Sequence, residues 1–356
     1  MSNTPHIVII GAGLIGLSTA DSLMKRGARV TLIESRTGPG QGASFCNSGM
    51  IHASQAMPWM IESGSSQEAV IAGKHVYSLA CLSTDLLEAR MQFLRVPIGD
   101  SPGCIQIFET GSAGRKAEQT YKALGVPFER RDDFRWAFGK HGLYFPGDGA
   151  GNAHIYCSVL ARNLSERGAN LIYGADPVEL SLSGGRAALT GGNESDKPDH
   201  IIVAAGAGSA ALMLPLGLCL PVRGLRGHAL NFNRPNIDLP NVPIMHYPSR
   251  SALTVFDDHV RLSGTVNEDN PRVLLDIWRK IAPEIILKLG DPISEWSGER
   301  PVSGLGKPII GQTPLQNLWV NCGHGHMGWT LCAGSGEIMA DMILDGMAYP
   351  RFGWPD

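Results

Sequence analysis

The stretch HIVIIGAGLIGLSTADSLMKRGARVTLIE, residues 6–34, decides the fold. A short apolar run ends at Ile10, the pattern G-x-G-x-x-G occupies residues 11–16, and a helical pattern continues to Gly27. A second apolar run then ends in Glu34. This order of strand, glycine turn, helix, strand and acid is typical of a βαβ unit that binds a dinucleotide. The sequence therefore predicts an α/β protein that begins with a Rossmann-like unit.

The glycines of this motif have different structural tasks. Gly11 permits the tight turn, Gly13 lets the backbone approach a pyrophosphate, and Gly16 lets the helix lie close to the strand. The helix N-terminus presents N–H groups and a partial positive charge to the phosphates. Glu34 follows at about the 20-residue spacing at which a carboxylate binds ribose hydroxyls, which argues against NADP. We therefore expect cofactor contacts from Gly11, Ala12, Gly13, Leu14, Ile15, Gly16 and Glu34.

The composition of the 356 residues allows a sizeable core, because 43% are hydrophobic and 18% are charged. The net charge is −3, and no run of basic residues indicates a nucleic-acid partner. The seven cysteines include no C-x-x-C pair and no zinc-like Cys/His spacing, so we expect no metal site. We expect a reduced, cytoplasmic protein without a transmembrane segment, and peripheral association with the inner face of the membrane stays open.

Two further segments extend the predicted cofactor site. Residues 35–49 form a long loop of small side chains that suits contact with a large planar cofactor, a surface linker being the alternative. A buried strand ends in the small turn at residues 204–206, and residues 323–330 lead from a strand through glycines into a helix. Combined with the first motif and Glu34, the turn at 204–206 favours FAD over NAD.

The remaining sequence predicts a second unit with its own sheet. Helical spacing of apolar residues is found at about 60–100, 112–124, 152–167, 276–289 and 333–344. Pro283 is expected to break or restart the fourth of these helices. Residues 221–232 begin a β-rich segment that continues through 251–256 and 260–265, which predicts an antiparallel sheet.

With these motifs in place, the sequence resembles the D-amino-acid oxidase-like family of FAD oxidoreductases, and within it the bacterial D-amino-acid dehydrogenases. The resemblance covers nearly the whole chain. It is carried by residues 11–16 with Glu34 and by residues 44–49, 203–206, 298–301 and 323–330. The last segment, GHGHMGWT, is similar to the GHGTLGWT of those dehydrogenases and is the most specific of the signals.

The resemblance implies a discontinuous Rossmann-like FAD-binding domain and a substrate domain with a mixed or antiparallel sheet and helices. The expected ranges are 1–57, 142–208 and 305–356 for the first domain, and 58–141 and 209–304 for the second. The implied cofactor contacts near the adenosine are Ser35, Arg36 and Val178. Those near the pyrophosphate and flavin are Ala43, Ser44, Asn47, Ser48, Gly49, Ala204, Ala205, Gly206, Gly325, His326, Met327, Gly328, Trp329 and Thr330.

The resemblance also implies a substrate-binding residue, Arg300, which matches the arginine that binds the substrate carboxylate. A guanidinium suits a bidentate contact with such a group. The sequence departs from the family in several places. Glu299 stands beside Arg300, so a structural ion pair is the alternative, and His326 replaces a threonine. Several dozen residues typical of the dehydrogenases are missing after Trp59, which implies an abbreviated pocket or one completed by a partner subunit.

The implied reaction is oxidative deamination of a D-amino acid or of a cyclic or N-substituted amino acid. Hydride would pass from Cα to flavin N5, the imine would hydrolyse, and a quinone, an electron-transfer partner or O₂ would accept the electrons. Arg300, His52 and Tyr247 are the candidate catalytic residues, although a lone His or Tyr is more often structural. Two alternatives stay open: a glycine- or sarcosine-type oxidase that uses O₂, and an FAD-carrying subunit that is inactive without its partner. A further alternative is that the flavin is attached covalently through His52 or Cys46.

Overall fold

A computed structural model describes residues 4–57, 66–96, 102–131, 137, 139, 141–192, 197–264 and 269–355. Its strands are β1 (His6–Ile10), β2 (Arg29–Glu34), β3 (Met50–Ile51), β4 (Cys104–Phe108), β5 (Glu129–Arg130), β6 (His141–Phe145), β7 (Gly149–Ala150), β8 (Asn170–Tyr173), β9 (Glu179–Ser183), β10 (Arg186–Thr190), β11 (His200–Val203), β12 (Val222–Asn233), β13 (Ile244–His246), β14 (Ser251–Val255), β15 (His259–Gly264), β16 (Ser294–Ser303), β17 (Ile309–Gln312) and β18 (Leu318–Cys322). Its helices are α1 (Leu14–Lys25), α2 (Ser66–Leu94), α3 (Gly111–Leu124), α4 (Ala153–Glu166), α5 (Ser209–Met213), α6 (Val273–Ile281), α7 (Pro283–Leu289) and α8 (Gly328–Leu344).

A six-stranded sheet contains the N-terminal motif, with strand order β17-β18-β11-β1-β2-β8. Strand β1 lies between β2 and β11, parallel to both, and all five of its residues are buried. Parallel strands covered on both faces are expected to be nearly continuously apolar, and only His6 departs from this in β1. Helix α1 packs against α4 and α8, so the glycine turn that connects β1 to α1 is held within the core.

An eight-stranded sheet forms the second layer, with order β16-β12-β15-β14-β13-β4-β6-β5. Its pairs are antiparallel except for β13 with β4, which run parallel. Helices α6 and α7 cover one face, with Trp278 fully buried in that core. The predicted α/β class with a mixed sheet is confirmed, and Pro283 restarts the helix as α7.

Helix α2 joins the two layers. It packs against α8 on one side, where its buried Arg90 places Nε 2.7 Å from a carboxylate oxygen of Asp21 in α1, and against α3, which contacts β4 and β6, on the other. The ends of the helix predicted at 60–100 and the last residue of the strand predicted at 260–265 fall outside the described residues. Among those described, no helix has the length and apolarity needed to cross a membrane.

The predicted start of the last helix was wrong. Helix α8 begins at Gly328 rather than near Ala333. The glycines of residues 323–328 suggested a loop, but Trp329, Leu331 and Cys332 are buried. Burial of these side chains outweighs the weak helix propensity of the preceding glycines.

Candidate functional site

A cavity of about 640 Å³ extends from the carboxyl ends of β1, β2 and β11 to one face of the eight-stranded sheet. This volume is typical of cofactor and small-molecule sites. We call its two parts the glycine-turn end, formed by residues 11–16, 34–36 and 204–206, and the sheet end, formed by β14, β16 and the turn before β14.

At the glycine-turn end, two backbone turns approach each other so closely that side chains are excluded. Gly11 has φ +109°, and a Cβ there would lie 2.5 Å from the carbonyl oxygen of Ala204. A Cβ on Gly16 would lie 1.9 Å from the carbonyl oxygen of Gly11. The hydroxyl of Ser44 accepts the N–H of Leu14 at 3.1 Å, which fixes the following loop to the start of α1. The exposed backbone here suits a pyrophosphate.

Glu34 stands at the end of β2 and faces the same cavity. Its carboxylate accepts the N–H of Ala12 at 3.0 Å and the N–H of Arg36 at 2.9 Å. These contacts hold the carboxylate beside the glycine turn. Val178 and Asp176 line the cavity nearby, so an adenosine has both a ribose-binding acid and an apolar contact available.

Residues 42–49 are tied to the eight-stranded sheet. Arg261 of β15 donates to the carbonyl oxygen of Asn47 at 2.8 Å, and the hydroxyl of Thr254 in β14 donates to that of Ser48 at 2.8 Å. The interpretation as a surface linker was therefore wrong for this part of the loop, since these two backbone contacts attach it to strands of the eight-stranded sheet.

Most of the predicted cofactor residues meet on this cavity. Its lining includes Gly11, Gly13, Leu14, Ile15, Glu34, Ser35, Arg36, Ala43, Ser44, Asn47, Ser48, Val178, Ala204, Ala205, Gly206, Gly325, His326, Gly328 and Trp329. The lining does not include five others: Ala12, Gly16, Gly49, Met327 and Thr330. Thr330, for example, accepts the N–H of His52 at 3.0 Å and so positions a lining residue.

At the sheet end, Arg300 and Trp296 project from the same face of β16. A Cβ on Gly227 would lie 2.1 Å from Nη1 of Arg300, and a Cβ on Gly298 would lie 2.2 Å from the ring of Trp296. Gly227 and Gly298 are paired across β12 and β16. The two glycines therefore form a floor without side chains, which the guanidinium of Arg300 and the indole of Trp296 cover.

Glu299 points away from this floor. Neighbouring residues of a strand face opposite sides of a sheet. The carboxylate of Glu299 lies over Gly224, where a Cβ would be 2.5 Å from Oε2, whereas Arg300 lies over Gly227. Gly224 and Gly227 are an odd number of residues apart and face opposite sides. The acid beside Arg300 in the sequence thus lies on the other face of the sheet.

A buried histidine, His52, and a half-buried one, His326, lie close to Arg300. Nε2 of His326 is 2.8 Å from the carbonyl oxygen of Gln55, so this nitrogen carries the proton, and the rings of His52 and His326 are 5.9 Å apart. Burial lowers the pKa of His52 to about 4, and the charge on Arg300 contributes. Burial likewise puts the pKa of His326 well below its ordinary value, while Arg300, with its pKa lowered to about 10, stays protonated. A cationic guanidinium among neutral imidazoles suits a carboxylate.

At the sheet end, one residue predicted from the sequence does not line the cavity, and two residues that do line it were not predicted. The cavity lining does not include Tyr247, whose half-exposed ring lies 5.1 Å from that of Phe108. Arg250 and Trp296 do line it. The alternation 296-298-300 along a strand could have identified Trp296, but no local pattern marks Arg250.

Three comparisons relate the chain to known proteins. A family model described as FAD dependent oxidoreductase matches residues 6–342. The D-amino acid dehydrogenase of Vibrio atlanticus (strain LGP32) is 28% identical over 399 residues, which covers 95% of both chains. The crystal structure of glycine oxidase from Geobacillus kaustophilus has a TM-score of 0.80 at 22% identity, covering 98% of this chain and 96% of that one. The crystal structure of iminodiacetate oxidase from Chelativorans sp. BNC1 has the same score and identity, covering 98% of each.

Proposed function

The chain belongs to the FAD dependent oxidoreductase family, and we propose that it oxidises the Cα–N bond of an amino or imino acid. FAD is its cofactor and, when bound, supplies the hydride acceptor at N5. The observation that carries the proposal is the position of Arg300, whose guanidinium faces the same cavity as the three glycine-rich segments. The names of the similar proteins, which act on amino or imino acids, support the same substrate class.

Arg300 has the role of binding the substrate carboxylate. Its planar guanidinium can donate two parallel hydrogen bonds, which fix both the position and the rotation of the group. A substrate bound in this way lies on the cavity side of the guanidinium and of the Trp296 indole, which themselves cover Gly227 and Gly298. Positioning of this kind accounts for much of what the protein must add, because the cofactor carries the redox chemistry.

His52 and His326 line the cavity with uncharged imidazole rings. Oxidation requires an uncharged amine on the substrate; a carboxylate beside that amine would favour its protonated form, whereas an uncharged imidazole does not. The buried imidazoles stay uncharged at neutral pH and accept or donate hydrogen bonds without adding a proton to the site. We propose a positioning role for both rather than acid or base catalysis, and none for Tyr247.

We propose a division into two units that follows the sheets. The six-stranded sheet with α1, α4 and α8 binds FAD, and the eight-stranded sheet binds the substrate. Strand β6 pairs with β4 in the eight-stranded sheet, so residues 142–145 belong to the substrate unit rather than to the FAD unit.

The test is anaerobic bleaching of the flavin in the purified, FAD-bound chain by a panel of D- and L-amino acids, including cyclic and N-substituted ones. At least one amino acid should bleach the flavin, and Arg300→Leu should abolish bleaching with FAD still bound. Arg226→Leu is the matched control, since Arg226 lies on the opposite face of the same sheet and should behave as the wild type. Unchanged bleaching by Arg300→Leu, or no bleaching by any compound, would contradict the proposal.

The electron acceptor is tested by comparing peroxide formation with dye reduction. The geometry favours neither O₂ nor a quinone or protein acceptor. If the flavin is reduced by substrate and reoxidised only by dye, we expect a dehydrogenase. If the flavin is bleached only after addition of a second protein, the chain is the FAD-carrying subunit of a heteromeric enzyme.

A further inference from the structure

A second arginine, Arg250, lines the cavity at its sheet end. It is the last residue of the four-residue turn between β13 and β14, and its N–H donates to the carbonyl oxygen of Tyr247 at 3.2 Å. Its φ of +49° is left-handed, which is uncommon for a residue other than glycine. Conformations of this kind persist where the surroundings impose them, often at functional sites.

The turn that carries Arg250 is rigidly held. The hydroxyl of Ser249 is 2.7 Å from Nδ1 of His246 and 2.7 Å from the hydroxyl of Ser251. These side-chain contacts connect the last residue of β13, the turn and the first residue of β14. Arg250 is therefore attached to a defined point of the sheet rather than to a free loop.

Arg250 and Arg300 line the same cavity, and the register of the sheet shows which strands separate them. The residues Met245, Ala252, Ser263, Ala229 and Trp296 form one row across β13, β14, β15, β12 and β16. Arg250 lies two residues from Ala252, and Gly227 lies two residues from Ala229 on the corresponding side. Ala252 and Gly227 therefore face the same side of the sheet, and Arg250, in the turn that leads into β14, lines the cavity on that side together with Arg300.

The spacing suits one small molecule. The guanidinium of Arg300 lies over Gly227 in β12, two strands from β14, and two strand spacings are about 10 Å. Arg250, in the turn before β14, lines the same cavity. Arg300 is half-buried and Arg250 is exposed, so the cavity has an inner and an outer cation. The positive charges of Arg300 and Arg250 both contribute to lowering the pKa of His326 between them.

From this juxtaposition we infer that the substrate is an amino or imino acid with a second carboxylate, the α-carboxylate binding Arg300 and the distal one Arg250. The inference rests on the proposed function and narrows its substrate class. Glu299, the acid nearest to Arg300 in the sequence, faces the other side of the sheet and leaves this charge pattern intact. A substrate with a neutral distal group would forfeit a charge-assisted contact, which is how such a site discriminates.

The test compares acids with their isosteric amides. Glutamate and glutamine, aspartate and asparagine, and N-(carboxymethyl)alanine and its distal monoamide are supplied anaerobically to the FAD-bound enzyme. We expect kcat/KM for the preferred dicarboxylate to exceed that for its amide by about tenfold or more, and Arg250→Gln to reduce this ratio to near one. Arg226→Gln, an exposed arginine on the opposite face, should keep the ratio.

A binding measurement gives a readout independent of turnover. Glutarate and butyrate are titrated while the flavin absorbance is recorded. Glutarate should bind more tightly than butyrate to the wild type, and the two should bind about equally to Arg250→Gln. Equal kcat/KM for acids and amides, or a preference unchanged in Arg250→Gln, overturns the inference. Neutral amino acids that bleach the flavin while dicarboxylates do not would overturn it and leave the proposed function standing. If no compound of either class bleaches the flavin, the proposed function itself fails.

Discussion

At the glycine-turn end of the cavity the backbone forms the surface, whereas at the sheet end side chains from separate strands form it. Gly11 and Ala204 bring two turns into contact where no Cβ fits on Gly11, and the turns directly follow β1 and β11, which are parallel neighbours in the six-stranded sheet. Arg300, Trp296 and Arg250 share a face only because β14, β15, β12 and β16 pair in one register. A backbone surface of this kind is encoded locally, but a side-chain surface depends on distant pairing.

The comparison predicts that the most damaging change is at the glycine-turn end. In Gly11→Ala, the added methyl group meets backbone atoms of Ala204, and the φ of +109° is unfavourable for alanine. Neither neighbour can move without displacing a central strand. We expect a loss of at least about 2 kcal/mol, or roughly thirtyfold in FAD affinity.

The measurement for Gly11→Ala is FAD content after purification, together with the flavin dissociation constant. Gly147→Ala is the matched control, because a Cβ at Gly147 meets nothing within 4 Å and its backbone is not left-handed. It should bind FAD as the wild type does. Full FAD occupancy in Gly11→Ala would mean that the turn is not the tight contact described here.

A glycine at the sheet end should behave differently. In Gly227→Ala, the new Cβ meets Nη1 of Arg300, which is the end of a flexible side chain rather than backbone. The guanidinium should move while the strand stays in place. We expect near-normal FAD binding and thermal stability, with kcat/KM lowered by about tenfold or more because the carboxylate contact is displaced.

A double-mutant cycle tests whether Gly227 acts through Arg300. If it does, Gly227→Ala adds no further loss of activity to an enzyme that already carries Arg300→Lys, since the two changes affect one contact. Additive losses would show that Gly227 contributes by a separate route. Loss of FAD from Gly227→Ala would remove the distinction between the two ends.

The same distinction explains what the sequence could predict. The β1–α1–β2 unit, Glu34 and the turn at 204–206 were predicted from residues adjacent in the chain, and the structure brings them to one cavity. Arg300 was found only through resemblance to a motif. Arg250 escaped notice and Tyr247 was misplaced, because which of the turn residues faces inward depends on how β13 and β14 pair with β4 and β15. Local patterns contain no information on that pairing.

Two buried groups near residues 52–54, His52 itself and Asp148, have pKa values shifted in opposite directions. His52 lines the cavity, and burial lowers its pKa to about 4. Asp148 accepts the N–H of Ser54 at 3.1 Å, and burial raises its pKa to about 7. Between these values and their ordinary ones, the folded state binds one proton fewer than the unfolded state at His52 and one more at Asp148.

We therefore expect a pair of opposite slopes in the dependence of stability on pH, both levelling off above pH 7. As the pH falls from 6.5 towards 4, the unfolded chain protonates His52 and the folded chain does not. The wild type should lose stability relative to His52→Gln by up to about 1.4 kcal/mol per pH unit. As the pH falls from 7 towards 3.8, only folded Asp148 gains a proton, so the wild type should gain stability relative to Asp148→Asn. Urea unfolding of the FAD-bound proteins at pH 5, 6 and 7 measures both slopes, and slopes of the same sign would contradict the burial assigned to one of the two groups.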